Sequence, residues 1–193
     1  MKNYLLMIAV LFSSLAMLGC NRNASSNANS NNNNKVSESP MNSDANSSDE
    51  NSAFENQEAP GFTLTDTKGK KISLAEYKGK IVIIDFWATW CPPCRRGIPD
   101  LIKIQKEYKN KVTVIGISLD TDTKKDVVPF MKNMGINYTV VYANAQVVQD
   151  YGNVEAIPTS FIIDKEGKII DQHIGLTPEE TYINEINKLL DKS

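Results

Sequence analysis

Residues 80–94 read Lys-Ile-Val-Ile-Ile-Asp-Phe-Trp-Ala-Thr-Trp-Cys-Pro-Pro-Cys, and this stretch decides the fold. Its first half is mostly β-branched or aromatic, which is typical of a central strand that is buried on both faces. A helix is predicted to follow from about Pro92 to Asn110, with apolar side chains at helical spacing. Cys91 and Cys94 therefore stand between a buried strand and the start of a helix.

The placement of these two cysteines favours reversible thiol chemistry. Two cysteines with two residues between them can close a disulfide ring. The unpaired amides at a helix start also favour the thiolate, which is the form that attacks disulfides. We expect the Cys91 sulfur to be exposed, and Cys94, one turn further in, to be shielded and to resolve the mixed disulfide.

Two other uses of such a cysteine pair are weaker. A zinc site needs four ligands, usually with a second pair of Cys or His, and the only histidine, His173, lies far along the chain in a predicted strand. A static structural disulfide would explain neither the placement at a helix start nor the residues that flank the pair. We therefore predict no metal and no cofactor.

Strands and helices alternate along the rest of the chain and end in a hairpin and a helix. This order predicts an α/β domain with a sheet of mixed direction. The predicted strands are 62–64 and 71–73, which form an N-terminal hairpin, then 112–119, 138–142, 160–163 and 168–174; the predicted helices are 123–134, 145–151 and a last one that opens with a capping box at Thr177-Pro-Glu-Glu180.

Several motifs resemble the thioredoxin superfamily. Residues 85–94 are similar to the active-site strand and turn of thioredoxin, Pro99 falls where the first long helix of that family is kinked, and Ile157-Pro-Thr159 resembles its cis-proline turn. The resemblance covers residues 60–193 and implies a thioredoxin fold, with a mixed sheet flanked by helices. The export leader, the N-terminal hairpin and an inserted helix and strand near residues 123–141 resemble the membrane-anchored, extracytoplasmic TlpA/ResA-like group.

The resemblance implies roles for individual residues. Asp85 lies in an apolar run, so desolvation should raise its pKa and let it accept the Cys94 proton; the alternative is a strand-end carboxylate exposed to water. A cis Pro158 would lack an amide beside the sulfurs and would offer the preceding backbone to an extended substrate. The residues expected to contact substrate are Trp90, Pro92, Pro93, Ile157 and Pro158.

Two features depart from the TlpA/ResA-like pattern. Some members carry a glutamate three residues after the second cysteine, where this chain has Gly97, so any role of that acid must be absent or taken by Asp85 alone. Both residues between the cysteines are prolines, which lack an N–H. We therefore predict a less stabilised thiolate and a reducing potential, although the charges of Arg95 and Arg96 act in the opposite direction.

The N-terminal part of the chain is predicted to be a targeting signal and a tether rather than a folded domain. Residues 1–19 contain one lysine, then an uncharged run, and end in Leu-Gly before Cys20, which resembles the lipobox of bacterial lipoproteins and implies that Cys20 is acylated. Met17 stands where the lipobox usually has leucine. An ordinary cleaved signal or an uncleaved short anchor are the alternatives. Residues 20–59 are rich in Asn and Ser, which predicts a disordered tether before the domain at 60–193.

The balance of charged residues argues against a nucleic-acid-binding protein. The 193 residues include 21 Lys plus Arg and 23 Asp plus Glu, so the basic excess expected of a nucleic-acid-binding protein is missing. We predict a monomeric, membrane-tethered thiol:disulfide oxidoreductase that reduces protein disulfides in the periplasm or at the outer face of the cell membrane. The resemblance implies apocytochrome c or cytochrome-assembly proteins as substrates and a membrane thiol transporter as electron donor.

Two alternatives share the fold. A peroxiredoxin-like peroxidase would carry Thr or Ser three residues before its peroxidatic cysteine and a proline further upstream, whereas Ala88 precedes Cys91 here and no proline lies between Ile81 and Cys91. A copper-binding assembly factor would have three residues between its cysteines and a histidine ligand, for which the chain offers only His173.

Overall fold

Three apolar strands form the centre of the sheet in a computed structural model that describes residues 54–191. β3 (Ile81–Trp87) pairs in parallel with β4 (Val112–Ser118) and in antiparallel with β6 (Thr159–Ile163). Every residue of β3 is buried, as expected for a strand covered on both faces. The central strand predicted from residues 80–87 is confirmed.

The whole sheet is mixed and has seven strands in the order β2-β1-β5-β4-β3-β6-β7. β1 (Thr63–Asp66) and β2 (Lys71–Ser73) form the predicted N-terminal hairpin, which joins the sheet through β5 (Thr139–Tyr142). β7 (Ile169–Ile174) lies at the opposite edge. β3, β4 and β5 run parallel and the other neighbours antiparallel, which confirms the predicted mixed sheet.

Helices cover both faces of this sheet. α1 (Pro92–Glu107), α2 (Lys124–Met134) and α4 (Glu179–Asp191) pack on the face that carries Ile81, Ile83 and Trp87. α3 (Ala145–Asp150) and a 3-10 turn at Leu74–Tyr77 lie on the face that carries Val82, Ile84 and Phe86. α2 and β5 form the predicted insertion, and Gly135 ends α2 in the left-handed conformation.

The ends of two helices differ from the prediction. α1 ends at Glu107, three residues before the predicted Asn110, and a turn connects it to β4. α4 begins at Glu179, and the Thr177 hydroxyl donates to the Gly175 carbonyl at 3.4 Å. The helix therefore begins one residue later than a cap at Thr177 implies, and the Thr177 side chain also hydrogen-bonds Tyr182.

Residues 54–59 pack on the domain instead of forming the last part of the predicted tether. The Asn56 amide donates to the Ile169 carbonyl at 2.7 Å, and Glu58 pairs with Lys168 in an antiparallel bridge. The Phe54 ring lies edge-on against Phe161, with centroids 5.6 Å apart. The folded region therefore includes Phe54 and does not begin at residue 60, because this segment covers polar backbone at the start of edge strand β7.

The remaining N-terminal predictions fall outside the described residues. They are the signal over 1–19, the acylation of Cys20 and the tether up to residue 53. Between residues 54 and 191, no helix is long and apolar enough to cross a membrane.

Candidate active site

Cys91 and Cys94 lie where β3 gives way to α1, and they form a disulfide with an S–S distance of 2.06 Å. Cys91 is the N-cap residue of α1, and Pro92 and Pro93 occupy its first two positions. Because prolines have no N–H, the first free amide of the helix belongs to Cys94, and it donates to the Cys91 sulfur at 3.2 Å. The predicted placement at a helix start is confirmed.

The Cys91 side chain is buried, which corrects the expectation of an exposed sulfur. Cys91 and Cys94 are each 2% exposed in this oxidised form. The Cys91 sulfur lies 3.6 Å from the carbonyl oxygen of Ile157, so a turn distant in sequence covers it. Trp90, immediately before it, is 60% exposed. A thiol that attacks this disulfide must therefore approach past the Ile157 turn and Trp90.

The Ile157 turn is the predicted cis-proline turn. The Ile157–Pro158 peptide bond is cis, and Pro158 is buried. The Pro158 carbonyl accepts a hydrogen bond of 2.7 Å from the Gly175 amide. The loop that precedes β6 and the loop that follows β7 are thus joined beside the disulfide. All the residues predicted to contact substrate lie in this region. Among them, Pro92 is exposed, and Pro93 and Ile157 are half-buried.

Asp85 is a buried carboxyl in the middle of the apolar strand β3. It is 3% exposed, so the alternative of a water-exposed carboxylate is wrong. Burial raises the pKa of Asp85 from its ordinary value of 3.8 to about 8, the direction expected from the sequence. A carboxyl that titrates near neutral pH can accept or return a proton during thiol exchange.

A pair of hydroxyl groups next to Asp85 was missed from the sequence. Ser160 on β6 lies directly opposite Asp85, and its Oγ is 2.8 Å from the Tyr182 hydroxyl on α4. Burial raises the pKa of Tyr182 to about 12, and the Asp85 charge acts in the same direction. The one available signal was a serine in the apolar strand 160–163, facing the same side as Asp85.

Asp120 is a second buried carboxyl near the site that was also missed. Its oxygens accept hydrogen bonds from the Thr89 amide at 3.0 Å and the Thr89 hydroxyl at 2.6 Å. Ser118 donates to it at 2.9 Å, and the Thr123 hydroxyl is a further donor. Asp120 therefore ties the turn before Cys91 to the loop between β4 and α2. The signal in the sequence was an Asp directly after a buried strand, with Thr residues around it.

The positions of Gly97 and Arg95 bear on the charge around the sulfurs. A Cβ atom added at Gly97 would lie 3.1 Å from Cδ1 of Leu176, so an apolar side chain covers the place where some relatives have an acid. The Arg95 guanidinium lies over the Phe130 ring, 5.5 Å from its centroid, and Phe130 packs on Trp87. The Arg95 charge is thus directed toward α2.

The lone histidine does not join the disulfide. His173 lies on β7 opposite Ser160, and its ring packs edge-on against Tyr182 with centroids 5.7 Å apart. Within residues 54–191, no group of three or more Cys, His, Asp or Glu side chains is arranged to hold a metal ion.

Comparisons with known proteins agree with this geometry. The family described as AhpC/TSA matches residues 56–172. The thiol-disulfide oxidoreductase ResA of Bacillus anthracis is 40% identical over 135 residues, which cover 69% of this chain and 77% of the relative. ResA of Bacillus subtilis is 36% identical over 140 residues, with 72% and 77% covered.

Solved structures give the same result. A thiol:disulfide interchange protein of the thioredoxin family from Chlorobium tepidum superposes with a TM-score of 0.64 at 33% identity, covering 69% of this chain and 95% of the other. A thiol:disulfide interchange protein from Bacteroides sp. has a TM-score of 0.62 at 27% identity, with 70% and 90% covered.

Proposed function

The chain belongs to the AhpC/TSA family of thioredoxin-like proteins and is a thiol:disulfide oxidoreductase, and we propose that it reduces protein disulfides outside the cytoplasm while tethered to a membrane. The observation that carries the catalytic part is the Cys91–Cys94 disulfide at the start of α1, with the buried Asp85 on the strand that leads into it.

In the reduced protein, the Cys91 thiolate attacks a disulfide of the substrate. A bond forms between Cys91 and one substrate sulfur, and the other substrate sulfur leaves as a thiolate and takes up a proton. Cys94 then loses its proton to Asp85 and its thiolate attacks the Cys91 sulfur. The bond between Cys91 and the substrate breaks, and the second substrate sulfur leaves as a thiolate that takes up a proton from solvent. The substrate disulfide gains two electrons, and the two cysteines are oxidised to the disulfide found in this structure.

The helix start supports a reducing direction of electron flow. A strong disulfide oxidant has a reduced form that is stabilised, usually by interactions with its thiolate. Pro92 and Pro93 remove two amides from the helix start, and only the Cys94 amide donates to the Cys91 sulfur among the described residues. Arg95 is held over Phe130. The thiolate is therefore less stabilised than it would be with free amides at both positions.

Protein substrates fit the surroundings of the disulfide. An extended segment can lie along the half-buried turn at Ile157 and Pro158, while the exposed Trp90 and Pro92 supply apolar contact on the other side. We assign substrate contact to these residues and to Pro93. Apocytochrome c or cytochrome-assembly proteins as substrates, and a membrane thiol transporter as electron donor, follow from the resemblance to the TlpA/ResA-like group.

The location of the protein follows from the N-terminal sequence. We assign residues 1–19 to an export signal and Cys20 to lipid attachment, with the domain exposed as a monomer in the periplasm or on the outer face of the cell membrane. Because the folded part includes Phe54, the tether spans residues 20–53. We propose that this Asn- and Ser-rich segment serves as a tether, which lets the domain meet partners away from the bilayer.

Neither alternative gains support from the site. Ala88, three residues before Cys91, is buried and carries no hydroxyl, unlike the matching position of a peroxidase. His173 packs against Tyr182 instead of facing the cysteines. Peroxide consumption by the reduced protein, or copper binding that is lost on changing His173, would restore one of them.

A redox titration of the full chain, followed by tryptophan emission, tests the direction of electron flow. The two tryptophans, Trp87 and Trp90, both lie close to Cys91 in the chain, so their emission reports on this disulfide. We expect a potential near that of thioredoxin, about −270 mV; a value near that of DsbA, about −120 mV, contradicts a reductase.

Trapping in cells tests the order of attack. We expect Cys94→Ala to accumulate a mixed disulfide between Cys91 and its partner protein, because the resolving sulfur is missing. The matched variant Cys91→Ala should retain none. A mixed disulfide formed only by the Cys91→Ala protein would reverse the two assignments.

A further inference from the structure

The buried Asp85 needs a stabilising group when it ionises, and this inference rests on its proposed role as proton acceptor. In the oxidised form burial alone raises its pKa, and no hydrogen bond from a described residue offsets that effect. A carboxylate formed in this apolar environment would be costly without a donor. A donor that turns toward Asp85 only in the ionised state would keep its pKa within a usable range.

Ser160 is placed to be that donor. Asp85 and Ser160 are directly opposed across the antiparallel strands β3 and β6, and both are buried. Side chains at opposed positions point to the same face of a sheet, with Cβ atoms about 5 Å apart. The Ser160 hydroxyl therefore lies on the same face of the sheet as the carboxyl, on the neighbouring strand.

Tyr182 completes the arrangement from the other side. Its hydroxyl lies 2.8 Å from Ser160 Oγ, where either oxygen can be the donor, and the Thr177 side chain hydrogen-bonds the same hydroxyl. If Tyr182 donates, the hydrogen of Ser160 is free to point at Asp85. Both side chains are buried, so water does not replace this hydrogen bond.

We propose that Ser160 and Tyr182 are positioning residues for Asp85: when Asp85 loses its proton, Tyr182 donates to Ser160 and Ser160 donates to the carboxylate. The pair itself neither gains nor loses a proton. Asp85 takes a proton from Cys94 during thiol exchange and later releases it to solvent. The hydroxyl pair lowers the free energy of the ionised state that must form between turnovers.

Other ionisable groups surround this region and belong in the design of a test. The pKa of Tyr138, which precedes β5, is raised by burial first and then by the charges of Asp85 and Tyr182. The remaining groups are Cys94 on α1, His173 on β7 against the Tyr182 ring, and Asp100 on α1 near Tyr182. The variants used in the test leave these four side chains unchanged.

The test measures how fast dithiothreitol reduces the disulfide of the full chain as a function of pH, with tryptophan emission as the signal. Dividing each profile by that of Asp85→Asn removes the titration of the reductant. The wild-type ratio should show an inflection near pH 8, where Asp85 titrates. Ser160→Ala and Tyr182→Phe should move it upward by about one pH unit, the effect expected from losing one hydrogen bond to a charged group.

Three further variants separate this role from a structural one. Ser160→Thr keeps the hydroxyl and should restore the inflection. The double variant Ser160→Ala/Tyr182→Phe should shift no further than Ser160→Ala, because Tyr182 acts through Ser160. Tyr151→Phe removes another buried hydroxyl, one that donates to the Pro60 carbonyl at 2.9 Å on the opposite face, and should leave the inflection in place.

The possible failures are distinguishable. An inflection that persists in Asp85→Asn before normalisation, at its wild-type position, would overturn the role of Asp85 and this proposal with it. An inflection that disappears in Asp85→Asn but stays unmoved in Tyr182→Phe would overturn only the hydroxyl pair. Tyr182→Phe keeps the packing of the ring, so its result decides the matter even if Ser160→Ala fails to fold.

Discussion

Asp85, on the strand that leads into the disulfide, and Asp120, which holds the turn before it, are both buried carboxyl groups, yet their surroundings differ. Asp85 is 3% exposed and receives no hydrogen bond from the described residues in the oxidised form, whereas Asp120 is 4% exposed and accepts hydrogen bonds from Thr89, Ser118 and Thr123. Burial without donors raises the pKa of Asp85, whereas the oxygens of Asp120 hold the backbone of Thr89 in place. The two carboxyl groups are equally buried, so what distinguishes Asp85 as a proton acceptor from Asp120 as a structural tie is the number of hydrogen-bond donors around each.

The largest expected effect is on the pH dependence of stability in Asp85→Asn. The ordinary pKa of an Asp side chain is 3.8, whereas burial raises the pKa of Asp85 in the folded protein to about 8. Between these values the folded state holds a proton that the unfolded state has lost, so wild-type stability falls as pH rises through that window. At pH 9 the loss amounts to on the order of 5 kcal/mol, and Asp85→Asn should escape it.

Chemical unfolding of both proteins at pH 4 and pH 9 measures this difference. At pH 4, where Asp85 is neutral in the folded protein, the wild type and Asp85→Asn should have similar free energies of unfolding. At pH 9, Asp85→Asn should be the more stable of the two. Equal differences at both pH values would mean that Asp85 is not the group that titrates. The same Asp85→Asn protein should exchange disulfides about 100-fold more slowly, because it lacks the proton acceptor.

The second effect is the loss of the Asp120 tie. Asp120→Ala removes the acceptor for the Thr89 amide, which donates to Asp120 at 3.0 Å. It also removes the acceptor for three hydroxyl groups, those of Thr89, Ser118 and Thr123. We expect a loss of roughly 3 kcal/mol in the free energy of unfolding, since buried donors are left without partners. Asp120→Asn keeps one accepting oxygen and should lose less.

A pH profile distinguishes the two carboxyls in this case too. If Asp120 acts only as a structural tie, Asp120→Asn should keep the inflection of the exchange rate near pH 8 that we assign to Asp85. If Asp120→Asn folds normally but lacks that inflection, Asp120 takes part in the proton transfer and is not only a structural tie.

The smallest expected effect is that of Thr89→Val. This change removes one hydroxyl, 2.6 Å from Asp120, and keeps both the shape of the side chain and the hydrogen bond from the Thr89 amide. We expect a loss of about 1 kcal/mol in thermal or chemical unfolding. A loss as large as that of Asp120→Ala would mean that the hydroxyl, rather than the amide, carries the tie.

The features that could be predicted from the sequence are those encoded by neighbouring residues. The buried strand β3 follows from an unbroken apolar run, the cysteine pair at the start of α1 follows from its position after that run, and the raised pKa of Asp85 follows from an acid inside it. The cis-proline turn was recognised from three residues, 157–159.

The features that could not be predicted depend on contacts between distant parts of the chain. The resemblance placed the turn at residues 157–159 beside the sulfurs, but the sequence does not indicate that the Ile157 carbonyl lies over Cys91 and buries it. Asp120 reaches Thr89 because β3 and β4 are parallel and end together, with Trp87 opposite Ser118. Residues 54–59 were assigned to the tether because their polar composition hides the contact between Phe54 and Phe161.

The attachment of residues 54–59 to β7 also determines how the domain transmits mechanical load. β7 begins beside the end of β6 that pairs with the start of β3, so the bridge between Glu58 and Lys168 lies at the opposite pole of the sheet from Cys91. Tension applied through the N-terminus is therefore borne first by the Asn56–Ile169 and Glu58–Lys168 pairings. Pulling on the chain would peel this short segment away before it strained the turn that holds the sulfurs.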